Sequence, residues 1–192
     1  MGPREWGKHD EFNMALAEAI LVCLTDRPMS GYDLAKTFDA SIGFFWRASH
    51  QQVYRELARL REKGLVDSRE IEQSGRPNRI IHTITKAGED VVHAWSLKPC
   101  RMPSVKDELL VKLYALDNVD IPVLREQLDI RLDQHRAKLA AYFRIKEKFY
   151  DGQNLNRAQK GKLVALTMGI SNESQMVKTL GEAITMLGEI DE

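Results

Sequence analysis

The feature that most limits how this chain can fold is a 4-3 apolar rhythm that fills its second half twice. Leu128, Leu132, His135, Leu139, Tyr142, Lys146 and Phe149 are spaced 4, 3, 4, 3, 4 and 3. Leu163, Leu166, Ile170, Glu173, Val177, Leu180, Ile184 and Leu187 continue the same alternation. This is the rhythm of a coiled-coil seam, and it predicts a helix from Ile121 to Tyr150 and another through the C-terminal stretch. Thirty residues of helix from Ile121 to Tyr150 reach about 45 Å, too far for so small a domain to cover alone. Something must pack along them. The segment Asp151, Gly152, Gln153, Asn154 is short enough to fold two helices antiparallel. Leu128, Leu132, Leu139, Tyr142, Phe149, Val177, Leu180, Ile184 and Leu187 are the expected dimerisation residues. His135 and Lys146, polar on that seam, are expected to snorkel or hydrogen-bond at its rim.

The first half is punctuated differently. Residues 13–26 are apolar nearly all round, which predicts a helix buried on more than one side and stopped by Pro28. Ser30 with Asp33 opens a short helix to about Phe38, and Ser49 with Gln52 opens a third that runs to about Lys63 and ends at Gly64. Beyond Gly64 the period becomes that of strands. Leu65, Val66, Arg69 and Ile71, then Ile80 to Thr85, flank a turn of Ser74, Gly75, Arg76, Pro77 and Asn78. Thr85 caps a fourth helix to about Trp95, Pro99 and Pro103 mark a boundary, and Ser104 with Asp107 opens a helix to about Leu116. The expected fold is mainly α. A winged helix-turn-helix, three helices plus a two-stranded β-wing, occupies residues 1–99, and a helical dimerisation domain with long antiparallel helices occupies 100–192.

Composition narrows the function. The chain is 43% hydrophobic and 29% charged, and it contains no apolar run long enough for a membrane span. Its charged start lacks the apolar core of a secretory signal, so a cytoplasmic protein is expected. The two cysteines cannot make a disulfide framework, and Cys23 sits in the apolar run AILVCL as a buried thiol. The five histidines are scattered with no metal-ligand spacing. No phosphate-binding glycine loop or nucleophile elbow is present, so no catalytic residue, metal or cofactor is expected and the chain reads as no enzyme.

Net charge is zero, 28 basic against 28 acidic residues, but between Arg47 and Arg79 eight basic side chains face five acidic ones. Placement therefore carries the argument. On a helical wheel Val53, Leu57 and Leu60 share one face of the third helix. Gln51, Arg55, Ala58 and Glu62 lie opposite, with Gln52, Tyr54 and Arg59 on the flanks. Glutamine can pair with adenine edges and arginine with guanine or phosphate, while the helix start at Ser49 and His50 attracts a phosphate. Such a polar face on an isolated helix is ordinarily just solvated. Here it coincides with a stiff hairpin that displays Arg76 and Arg79, suited to a narrow minor groove.

The segments SGYDL, FFWRAS, QQVYRELARLREKGLV, SGRPNR and ITKAG, in this order and spacing over about residues 14–96, resemble the PadR family of bacterial transcriptional regulators. The part after Pro103 resembles, by architecture, the C-terminal domain of the longer subgroup that includes AphA-like virulence activators. The resemblance implies a homodimer on an inverted-repeat operator of double-stranded DNA, more often repressing than activating. It implies Tyr54 at the phosphate backbone, Gln51 and Arg55 at bases and Arg76 at the wing. It also implies a small-molecule effector, phenolic or otherwise planar aromatic, since some members bind such compounds. One departure stands out. Where the family commonly has a KYY-type segment, this chain has Arg79, Ile80, Ile81 and His82. The competing reading is a protein-interaction module whose winged helix no longer binds DNA, which zero net charge favours.

Overall fold

The computed structural model describes residues 8–40, 48–72, 78–100 and 106–190. The expected aromatic segment 41–47, the wing tip 73–77 with Arg76, and the cap Ser104 lie outside the described residues. The chain divides into two compact units, Met1–Met102 and Pro103–Glu192.

In the first unit the order is α1 (Lys8–Asp26), β1 (Met29–Ser30), α2 (Gly31–Ala40), α3 (His50–Glu62), β2 (Val66–Ile71), β3 (Arg79–Ile84) and α4 (Lys86–Ser96). The first helix starts earlier than the apolar stretch predicted, because no glycine or proline interrupts Lys8 to Asp26. Pro28 lies just beyond its end. Ser30 closes the tight turn that follows: its Oγ accepts the Asp33 N–H at 3.2 Å and donates to the Asp33 carboxylate at 2.8 Å.

The sheet is antiparallel in the order β1-β3-β2. Val66 pairs with Ile84 and Ile71 with Arg79, which is the expected wing. A third strand joins it, since Met29 and Ser30 pair with His82 and Ile81. Two residues are too few to show a strand period, so this strand was not legible in the sequence. The core beneath the sheet is contributed by every helix of the turn: Ile20 and Leu21 from α1, Leu34 and Phe38 from α2, Val53, Leu57 and Leu60 from α3, all essentially without solvent contact. Cys23 is among these buried residues.

The second unit comprises α5 (Glu108–Tyr114), a 3₁₀ turn (Leu116–Asn118), α6 (Ile121–Phe149) and α7 (Arg157–Ile190). Asp107, expected in the first turn of α5, is instead its N-cap. Its carboxylate accepts the Leu109 N–H at 3.0 Å and binds Arg131 of α6 at 2.5 Å. Arg131 holds this carboxyl below the usual range, so the cap stays ionised. The long helices run antiparallel, with Arg125 beside Gly188, His135 against Glu173 and Tyr142 against Gly169. Leu124, Leu128 and Leu132 pack with Leu180 and Leu187 along this seam, joined by Leu109.

Candidate nucleic-acid interface

The third helix owes its position to local chemistry at both ends. Ser49 and Gln52 form a reciprocal capping box: Ser49 Oγ accepts the Gln52 N–H at 3.2 Å and Gln52 Oε1 accepts the Ser49 N–H at 2.8 Å. At the other end Gly64 adopts φ +68°, a left-handed conformation that a residue without Cβ accepts readily, and the Leu65 N–H returns to the Leu60 carbonyl at 2.9 Å. With both ends fixed, Val53, Leu57 and Leu60 bury one face. His50, Gln51, Gln52, Tyr54, Arg55, Ala58 and Arg59 are left exposed.

The exposed residues are not equally available. Gln51 and Arg55 face solvent, and Arg55 makes no ion pair among the described residues. Gln52 has its amide oxygen committed to the cap. Arg59 donates to Glu56 at 3.2 Å. Tyr54 lies against the start of α2, where a Cβ on Gly31 would come 2.4 Å from Tyr54 Cε1, so only glycine lets the ring lie there. On β3, Arg79 is bound by Asp33 and also reaches Ser30 Oγ at 3.4 Å. Ser30 and Arg79 together hold the Asp33 carboxyl below its ordinary range. Arg79 therefore ties the wing strand to α2, a role that a pairing 46 residues apart in sequence did not reveal.

Two buried carboxyls were also missed. Glu56 is 5% exposed on α3, and Glu18 is buried on α1 with one oxygen lacking a hydrogen-bond partner. Burial pushes Glu18 above the usual carboxylate range. The wheel carried a signal for Glu56, which falls at i+3 from Val53 beside Leu57.

Between α3 and β3 lies a groove of about 810 Å³ lined by Tyr32, Tyr54, Arg61, Asn78, Arg79 and His82, among others. Neither Arg61 nor His82 is among the DNA contacts expected from sequence.

In the second unit Leu128, Leu132, Tyr142, Leu180 and Leu187 are buried within the single chain, because the α6–α7 hairpin itself uses the seam. Leu139, Val177 and Ile184 are half-buried and Phe149 is exposed. The polar positions on the seam have partners. Glu173, 6% exposed, receives His135 Nδ1 and Lys138 Nζ, each at 2.5 Å. Burial pushes Glu173 up, but the hydrogen bonds from Lys138 and His135 outweigh it and hold the carboxyl below the usual range. Lys146 binds Asp151 at 2.8 Å, beside the turn. Among the described residues no three His, Cys, Asp or Glu side chains are grouped to hold a metal ion, and no helix is long and apolar enough to cross a membrane.

Residues 20–94 match the model of the transcriptional regulator PadR-like family, and residues 105–188 that of the virulence activator alpha C-terminal family. A probable transcriptional regulator of Mycobacterium tuberculosis is 32% identical over 92% of this chain and 99% of its own. The negative transcriptional regulator PadR of Bacillus subtilis, solved in complex with operator DNA, superposes with a TM-score of 0.77 at 28% identity, covering 90% of this chain and 99% of that one. The same B. subtilis protein has been solved with p-coumaric acid. The virulence activator AphA of Vibrio cholerae gives a TM-score of 0.75 at 32% identity, covering 91% and 99% of the two chains.

Proposed function

From the premise that this chain belongs to the PadR-like family of transcriptional regulators, we propose that it is a cytoplasmic repressor that binds an inverted-repeat operator as a homodimer. Residues 1–99 engage DNA and residues 100–192 pair the two copies. The observation that carries this reading is α3: its apolar face is buried, both ends are capped, and Gln51 and Arg55 stand outward unpaired. A two-fold dimer sets two such helices about 34 Å apart, at successive turns of the major groove. Gln51 and Arg55 meet base edges. Tyr54 meets a phosphate, Ser49 and His50 present the helix start to the backbone, and Gln52, Arg59 and Arg79 hold the reading surface in shape.

The dimer surface is the apolar face that the hairpin leaves uncovered. Phe143 and Phe149 on α6, and Val164, Met168 and Met186 on α7, are all at least half exposed. The p-coumaric acid complex of the B. subtilis relative supports a planar aromatic acid as the effector that releases this chain from DNA. A thermal-shift screen with phenolic acids tests that part.

Gel shifts against the chain's own upstream region, with Arg55→Ala and Arg76→Ala, test the docking. Binding by the unaltered protein with at least about tenfold loss in each variant is expected. Wild-type affinity in both would contradict it. Failure of the unaltered protein to stay on heparin at low salt would instead favour a protein-interaction module.

A further inference from the structure

We propose that a backbone phosphate of the bound duplex seats in the groove between α3 and β3, held by Arg61 and by a His82 that takes up a proton as the DNA arrives. The inference rests on the DNA-binding reading above and assigns a contact that the reading leaves open. Along the edge of α3 next to Gln51 and Arg55, the residues Tyr54, Ala58 and Arg61 follow at i, i+4 and i+7 and line the groove. A strand leaving the major groove at α3 must pass between this edge and the wing.

Of the groove's two arginines, Arg79 is already neutralised by Asp33. Arg61 is exposed and makes no ion pair among the described residues. Among the described residues that line the groove, it is the arginine free of an acidic partner. Opposite it, the strand register places His82 across from Ser68, on the same face of the sheet as Val66 and Ile84. Ser68 Oγ lies 2.9 Å from His82 Nδ1, so Nε2 is the nitrogen left for a phosphate oxygen.

Burial and the neighbouring Arg61 charge pull His82 below the ordinary imidazole range, which leaves it neutral near pH 7 in the free protein. An anion between the two removes the second cause and favours imidazolium. The other charged or titratable groups around it do not supply that anion. Asp33 is paired with Arg79, Glu70 on β2 accepts from Asn78 at 2.9 Å, and the charge that acts on His82 is that of Arg61.

Fluorescence anisotropy with a labelled duplex from the chain's own upstream region, over a range of salt and between about pH 8 and 6, tests this on the full chain. Each phosphate contact contributes about one unit to the log–log salt slope, so Arg61→Ala is expected to reduce that slope by about 1. Proton uptake makes affinity rise as pH falls, by at most about tenfold per unit for one group, and His82→Gln is expected to remove that part of the rise. Glutamine keeps a hydrogen-bonding partner for Ser68, and melting curves confirm that both variants fold. Either folded variant behaving as wild type overturns the proposal while leaving operator binding intact. A wild-type protein that binds no DNA overturns the regulator reading, and this inference with it.

Discussion

In the winged-helix unit Ile20, Leu21, Leu34, Val53 and Leu57 are wholly enclosed, and of its exposed apolar side chains Tyr32, Tyr54 and Ile80 line one groove beside α3, whereas Val22, Ile71, Trp95 and Leu97 lie outside it. In the helical unit only Leu124, Leu128 and Tyr142, among the described residues, are as completely enclosed, while Tyr114 is 98% exposed and Val164, Met168 and Met186 are each more than 60% exposed. Three helices crossing under a sheet can bury apolar residues from several directions. Two long antiparallel helices share a single seam and leave the rest of each helix uncovered. The two units thus differ in kind: the first closes a core of its own, and the second leaves apolar side chains along α6 and α7 uncovered, the surface proposed above to pair two copies.

The largest effect comes from attacking the one place where the helical unit is well packed. Leu128→Asp buries an unpaired carboxylate at a site without solvent contact, at a cost of about 3 to 5 kcal/mol. Circular dichroism should show loss of much of the helical signal, and light scattering a loss of the dimer. A native melting curve would mean the seam is not what holds α6 to α7. The paired change Val164→Asp with Met168→Asp strikes the uncovered face of α7 instead. Helicity should persist while the dimer dissociates, and operator affinity should fall by at least about tenfold because two linked half-site contacts become separate ones. A dimer that survives would move the interface elsewhere.

A smaller effect sharpens the comparison through pH. Glu173 is held below its unfolded value, so its contribution to stability is complete above that value. It is lost as pH falls through the lower folded one. Acid melts should therefore show the helical unit weakening below about pH 4. Glu173→Gln should lower stability at neutral pH by about 1 to 3 kcal/mol and flatten that dependence. An unchanged acid profile would show that the His135 and Lys138 contacts contribute nothing.

Features that depend on neighbours in sequence were the legible ones. Ser49 with Gln52, Gly64 and Thr85 announce helix ends because a cap needs only the next three or four residues, and each stands where expected. The seam was legible as a period but not as to its partner, since a 4-3 rhythm is the same whether the second helix belongs to one chain or two. Contacts between residues far apart in sequence carried no local signal. Arg79 is a wing cation by sequence but is bound by Asp33 in the fold, and Glu173 is one more seam position by sequence but meets His135 and Lys138 of the facing helix. The site was legible in the exposed face of α3, and illegible in the groove because Arg61 and His82 meet only through the fold.

The outward face of α3 has, in the reading proposed above, a sequence-reading role. That role is tested most directly by the ratio of affinities for the chain's own upstream duplex and a scrambled one of equal length, at one salt concentration, in Gln51→Ala with Arg55→Ala. Each bidentate base contact is worth about 1 to 3 kcal/mol of discrimination, so the ratio should collapse by at least about tenfold while affinity for the scrambled duplex changes little. A ratio equal to that of the unaltered protein would contradict the account.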